Sequence, residues 1–373
     1  MRAATEAASE TKPLVTNAAP ERPARSDRGA LPIARLARLA VTAVAVLALF
    51  RLVRPDDVRR ATVLIRAVGW PLGLVLLPTL VALGLDAAGW RAILRELGYL
   101  VPWRRLLELR LSVEALVLAV PGGSLAGEAA KLALLSRRWS VPATTAGATL
   151  ALTKAHLIST DALYLGAAAI WLALDAAAGR NAVSWLPAVA FGGAALTAVV
   201  GGGLFLVLRR AALASRIADL LGRLPVTRLR GWIAARRGGF ADIDEAARTF
   251  FAAPRARRLL CAVPFMMEWL VEGAETLLIL RLLDVPIGLA EALVIDALGS
   301  LLRVLVFFVP AGLGVQDAAT ILLLRHFGVP DPIALGTAAV VVKRTKEVFW
   351  IVAGASLFVG TRDSRSRSND RRT

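Results

Sequence analysis

An all-α, polytopic integral membrane protein is what this sequence predicts, and three observations carry that prediction. Hydrophobic residues make up 57% of the 373, and the mean hydropathy is +0.63. The apolar residues gather in runs of about 18 to 25, the length a helix needs to cross a hydrocarbon core roughly 30 Å thick. The runs are rich in Leu, Ala and Val and lack strict alternation, so helices rather than barrel strands satisfy their backbone in lipid.

Residues 1–34 are polar, Ala/Arg/Glu-rich and aperiodic, as a disordered cytoplasmic tail is. Arg35 and Arg38 lead into a first apolar stretch, Leu39–Val53. Ala43-Val44-Ala45 resembles a signal-peptidase site but lies inside the run, so the stretch reads as an uncleaved span. The segment 54–67 holds Arg54, Arg59, Arg60 and Arg66 and reads as a polar connection. A second span covers about Val68–Ala88. Leu106–Val120 is then broken by Pro121-Gly122-Gly123 and resumes through Leu135 to Arg137-Arg138. Long spans follow at about Ala143–Leu174 and Ser184–Leu208.

The largest polar loop, 209–258, has twelve arginines against four acids. Amphipathic interfacial helices are expected in it around Arg216–Arg223 and Asp242–Phe251. Leu259–Leu280 crosses again. Ala290–Val309 is broken by Pro310-Ala311-Gly312-Leu313-Gly314, a short apolar piece reaches Leu324, and a last span occupies about Pro332–Val359. Thr361–Thr373 reads as a second disordered cytoplasmic tail. The expected architecture is thus about six crossing helices plus two broken, re-entrant hairpins in a membrane domain over 35–360.

Cationic loops lie on the cytoplasmic side of a membrane. Both termini and the 89–105 and 209–258 loops therefore go to the cytoplasm, and the protein to a bacterial inner membrane. The net charge of +17 comes from arginines between the runs and suits anionic headgroups. No nucleic-acid motif accompanies it, so nucleic acid is not expected as a partner. The lone Cys261 and two histidines, His156 and His326, leave no metal or redox motif, and no cofactor is expected. His156 reads as a helix–helix contact.

The two broken stretches match each other. Pro121 and Pro310 are each followed by a Gly-bearing turn, an acid seven residues on (Glu128, Asp317), Ala-Ala and an aliphatic helix. Lys154 and Lys343 sit 12 and 13 residues beyond Pro142 and Pro330. The repeat halves run over about 106–174 and 290–360. Three expected crossings separate them, so the second would be inverted. Paired interruptions of this kind point to a transporter's binding site. The breaks comprise Pro121, Gly122, Gly123, Pro310, Gly312 and Gly314.

Charges at membrane depth cost about 2.5–3.5 kcal/mol each on insertion scales and therefore face an interior or a cavity. Glu128, Lys154, Arg303, Asp317 and Lys343 are the candidates for a lipid-headgroup or translocation path. Asp161, Glu268, Glu272 and Glu347 are secondary. Lys154 and Asp161 are two helical turns apart, and Lys343 and Glu347 are spaced to pair within one helix. Glu268, Glu272 and Glu275 form a stripe. Helix capping by Glu128 and Asp317, and a purely structural ion-pair network, remain open beside a headgroup site.

The blocks Pro121–Ala129 and Pro310–Ala318 resemble signatures of the lysylphosphatidylglycerol synthase transmembrane region, or flippase-like domain, over about residues 35–360. The second block has Gln316-Asp317 where the family pattern has Arg-Glu. The resemblance implies lipid translocation between leaflets. In the full-length synthases a soluble transferase follows the membrane part; here 13 residues follow the last span, which implies a stand-alone member, not an enzyme. Stand-alone relatives occur beside hopanoid, glycolipid and glycosyltransferase functions. Expected partners are anionic or zwitterionic phospholipids, aminoacyl-lipids, glycolipids or hopanoids, and a lipid-biosynthesis enzyme. An intramembrane lipid-modifying transferase and a non-catalytic membrane partner of such an enzyme are the alternatives. No Walker A sequence is present, so movement without the chain's own ATPase is expected.

Overall fold

The computed structural model describes residues 55–119, 123–139, 141–179, 185–210, 231, 237–305 and 314–369. The expected first span, the tail 1–34, the helix at Arg216–Arg223 and the break residues Pro121, Gly122, Pro310 and Gly312 lie outside them. Among the described residues every regular element is helical.

Helix α1, Pro55–Val68, occupies the segment expected to be a polar connection. Its prolyl first residue and the acids after it favour a helix start. Ala61 is buried and Leu64, Ile65 and Val68 pack beside it against the core. That is the i, i+3, i+4, i+7 spacing of one helix face, and the arginines between hide it in the sequence. Arg60 reaches Asp331 at 3.1 Å across exposed surface.

A 3-10 turn, Trp70–Val75, leads into α2, Leu76–Glu96. Then come α3, Trp103–Ala119, and α4, Gly123–Trp139. Helix α5, Ala143–Ala177, and α6, Leu186–Arg209, form the most closely packed pair. The amphipathic α7, Arg237–Ala252, contains the interfacial segment expected at Asp242–Phe251 and rests on α5 and α6. The series closes with α8, Arg255–Leu282; α9, Leu289–Leu305; α10, Val315–His326; and α11, Pro332–Asn369. The Pro/Gly blocks fall between α3 and α4 and between α9 and α10, and apart from Gly123 and Gly314 their break residues lie outside the described residues. Helix α11 continues past Val359 through part of the Arg/Ser segment expected to be disordered; no proline intervenes to stop it.

Three stretches, Trp70–Glu96, Ala143–Ala177 and Leu186–Arg209, are long and apolar enough to cross a bilayer. Helices α8 and α11 have the length, with 28 and 38 residues, but interrupt it with charges. Many large apolar side chains face outward, among them Leu163, Ile170 and Leu174 on α5 and Val189, Val199 and Leu206 on α6. Buried charges such as Asp86, Lys131, Asp161, Glu268 and Asp296 lie inside. An apolar exterior around an ionic interior suits lipid as the solvent.

Helices α2 and α8 pack antiparallel. Gly89 meets the Phe265 ring, and ten residues earlier on α2 Thr79 donates 2.7 Å to Glu275, ten residues later on α8. A Cβ built on Gly89 would lie 2.5 Å from that ring, so only glycine allows the approach. Gly89→Ala is therefore expected to destabilise by about 1–3 kcal/mol, read as a lower thermal midpoint in detergent. Gly89→Ala with Phe265→Leu should recover part of the loss.

The two helices also end alike. The Tyr99 N–H donates 2.9 Å to Leu94 O after α2, and the Val285 N–H donates 2.9 Å to Leu280 O after α8. The turns are made by Gly98 (φ 84°) and Asp284 (φ 56°).

Candidate functional site

The buried charges form two groups, one for each interrupted stretch. The first lies where α2, α3, α4, α5 and α8 converge. Arg110 on α3 donates to Asp86 on α2 and to Glu114 one turn along its own helix. Lys131 on α4 is 3.3 Å from Glu128 and 3.9 Å from Asp86. Lys154 on α5 pairs with Glu128 at 2.8 Å. Trp90 supports the group: its Nε1 donates 3.1 Å to Thr149, and the Lys131 ammonium lies 5.9 Å from its ring centroid.

The second group joins α8, α9, α10 and α11, with α2 and α5 contributing. Arg344 donates to Asp317 on α10 and, at 2.7 Å, to Glu347. Asp317 also accepts the Gly314 N–H at 2.9 Å, so it caps α10 and holds a cation at once. Gly314 has φ 83°, a conformation that glycine adopts without strain. Lys346 pairs with Glu275, and Arg303 lies 3.5 Å from Glu272. Asp161 on α5 accepts the Ser300 hydroxyl at 2.9 Å. Thr276 donates 3.3 Å to Asp296, whose other oxygen lies 3.4 Å from the Tyr164 hydroxyl.

A small open cleft, about 30 Å³, lies in this second group. Its polar wall is Thr276, Asp296, Gln316, Asp317, Thr320 and Lys343, and Ile279, Leu280 and Ile295 supply much of the rest. Polar and apolar side chains thus meet on one wall. Lys343 forms no ion pair among the described residues.

The residues singled out from the sequence are brought together only in part. Glu128 and Lys154 meet, and Asp317 and Lys343 line one cleft. Lys343 and Glu347 do not pair: Arg344, one position on, reaches Glu347 and leaves Lys343 toward the cleft. Lys154 and Asp161 share a helix but belong to different groups. The stripe is likewise divided, with Glu268 beside the first group and Glu272 and Glu275 in the second. Gly123, named as a break, is the first residue of α4. His156 is buried, with Nδ1 2.8 Å from Leu152 O and its ring among Phe205, Phe250 and Phe265.

Sequence reasoning missed Asp86, Arg110, Lys131, Asp296, Arg344 and Lys346. Asp86 and Asp296 carry a usable signal, each being an acid inside an apolar run. Arg110 with Glu114, and Lys131 with Glu128, have helical pair spacing. Nothing in the sequence separates Arg344 and Lys346 from Lys343.

Outward apolar faces and enclosed ion pairs define a polytopic helical membrane protein with polar sites in its interior. The chain belongs to the family described as the lysylphosphatidylglycerol synthase TM region, whose profile matches residues 35–345. A search of curated proteins finds no match. Membership places the chain in a lipid-related membrane context.

Proposed function

We propose that this protein translocates lipid between membrane leaflets, along a path that passes the two interrupted helix pairs. The observation that carries the proposal is Lys343: an ammonium with no ion-pair partner among the described residues, in a cleft it shares with Asp296 and Asp317. Lys343 would take the headgroup phosphate, and the carboxylates would orient any amine or hydroxyl on it. A cation in a partly dehydrated site binds an anion through strong, charge-assisted hydrogen bonds. Apolar wall on the same cleft would accompany the acyl chains.

The two groups are read as equivalent sites of an inverted repeat. Support comes from the antiparallel α2 and α8 and from the matched acid and lysine at Glu128 and Lys154 and at Asp317 and Lys343. Re-entrant α3–α4 and α9–α10 pairs would then open toward opposite faces in turn, as expected of alternating access. The chain would supply no ATPase.

The test is leaflet exchange of fluorescent phospholipids, aminoacyl-lipids and glycolipids in proteoliposomes. Glu128→Ala and Asp317→Ala are each expected to abolish exchange while the circular dichroism spectrum stays that of the wild type. Exchange unaffected by either change would contradict a path through both groups.

A further inference from the structure

We infer that Glu268 on α8 is a proton-binding site whose loading is coupled to lipid movement; the coupling rests on the translocation reading above. Glu268 is 7% exposed, and its Oε2 is buried with no hydrogen-bond partner among the described residues. No ion pair reaches it there. The charged groups that bear on it are Asp86 from α2, Arg110 from α3, Lys131 from α4, and Glu272 from its own helix.

Both neighbouring cations are already engaged. Arg110 holds Asp86 and Glu114, and Lys131 holds Glu128 and Asp86. The third cation, Lys154, also holds Glu128. The group therefore has four carboxyls, Asp86, Glu114, Glu128 and Glu268, against three cations. Charge balances when one carboxyl carries a proton. Glu128 also has one orphaned oxygen, but its other oxygen meets Lys131 and Lys154. Glu268 has no ion pair on either oxygen among the described residues. A dehydrated carboxylate without a donor is costly where a neutral acid is far less so, so Glu268 is that carboxyl. Glu128 and Asp317, the acids with helix-start positions, are held by Lys154 and Arg344 and do not suit the role.

The location gives the proton a mechanical consequence. The register fixed by Gly89 with Phe265 and by Thr79 with Glu275 sets Asp86 opposite Glu268, at the contact between α2 and α8. Loss of the proton places two carboxylates across that contact, and like charges repel strongly where water is scarce. Pro264, one turn before Glu268, lies inside α8. It removes a backbone hydrogen bond and gives the helix a place to bend. Glu272, one turn beyond, has a side chain 28% exposed and lies 3.5 Å from Arg303 in the second group. Glu268 and Glu272 thus lie one turn apart on α8, a helix both groups share, so the charge on one bears on the other.

The test uses the full chain in proteoliposomes with a fluorescent phospholipid and a pH difference of one unit. One proton moved per lipid allows up to about a tenfold ratio between inward and outward exchange. The wild type is expected to approach that ratio and Glu268→Gln to show none. A wild type indifferent to the gradient, or a Glu268→Gln that still follows it, overturns the coupling. Exchange absent from the wild type under every gradient overturns the translocation reading, and the coupling with it. An infrared difference spectrum across the same pH step tests the proton site without transport. A carboxylic C=O band present in the wild type and missing from Glu268→Gln is expected; no band lost overturns the site.

Discussion

Arg110→Met is expected to cost the folded protein about 3–5 kcal/mol, because it leaves buried carboxylates without their cation. The Arg110 side chain is only 14% exposed and bridges Asp86 and Glu114. Lys131 can take over part of the burden on Asp86, at 3.9 Å, but nothing comparable is described near Glu114. The loss is read as a lower midpoint in thermal or denaturant unfolding of detergent-solubilised protein, with tryptophan fluorescence as the probe; Trp90 packs in the same group. Arg60→Met is the control. Arg60 meets Asp331 on exposed surface, where such a pair is worth about 0–1 kcal/mol. Equal losses in the two variants would show that Arg110 is not buried in its ion pairs.

Lys343→Ala is expected to slow lipid exchange by about 10- to 150-fold, the equivalent of a lost charged hydrogen bond worth about 1.5–3 kcal/mol. Lys343→Arg keeps a cation in the cleft and should retain much of the rate. Stability should change little in either variant, since Lys343 anchors no ion pair among the described residues. That combination separates a binding role from a structural one. Arg344→Met, by contrast, releases Asp317 and Glu347 together and should lower stability and exchange alike. Exchange rates from the fluorescent-lipid assay and melting midpoints from the same preparations decide the matter.

Much of the fold could be read from the sequence because lipid-facing helices show themselves by composition. Ala143–Ala177 and Leu186–Arg209 fall within a few residues of their expected limits. Helix α1 could not be read that way. Its apolar face is short, formed by Ala61, Leu64, Ile65 and Val68, and Arg59, Arg60 and Arg66 mask it. The boundaries of α4 and α10 were legible from the Pro/Gly blocks before them, since Pro and Gly disfavour helix in any surroundings.

The site was less legible, since ion pairing depends on helix rotation and on which helices meet. Glu128 and Lys154 were singled out, but their pairing needs α4 laid against α5. Lys343 and Glu347 had the spacing to pair, yet Arg344 takes the carboxylate at 2.7 Å. The antiparallel contact of α2 with α8 joins segments almost two hundred residues apart, and periodicity within either helix carries no trace of it. Asp86 and Glu268 therefore gained their meaning only once that contact was seen.

The most direct measurement is the bleaching of a leaflet-labelled fluorescent phospholipid by a membrane-impermeant reductant, in liposomes with and without the purified wild-type protein. Lipid translocation by this chain requires label in the inner leaflet to become accessible only when the protein is present, without ATP, and far more slowly with Lys343→Ala. Inner-leaflet label that stays protected in the presence of folded protein, for phospholipid, aminoacyl-lipid and glycolipid alike, would contradict it.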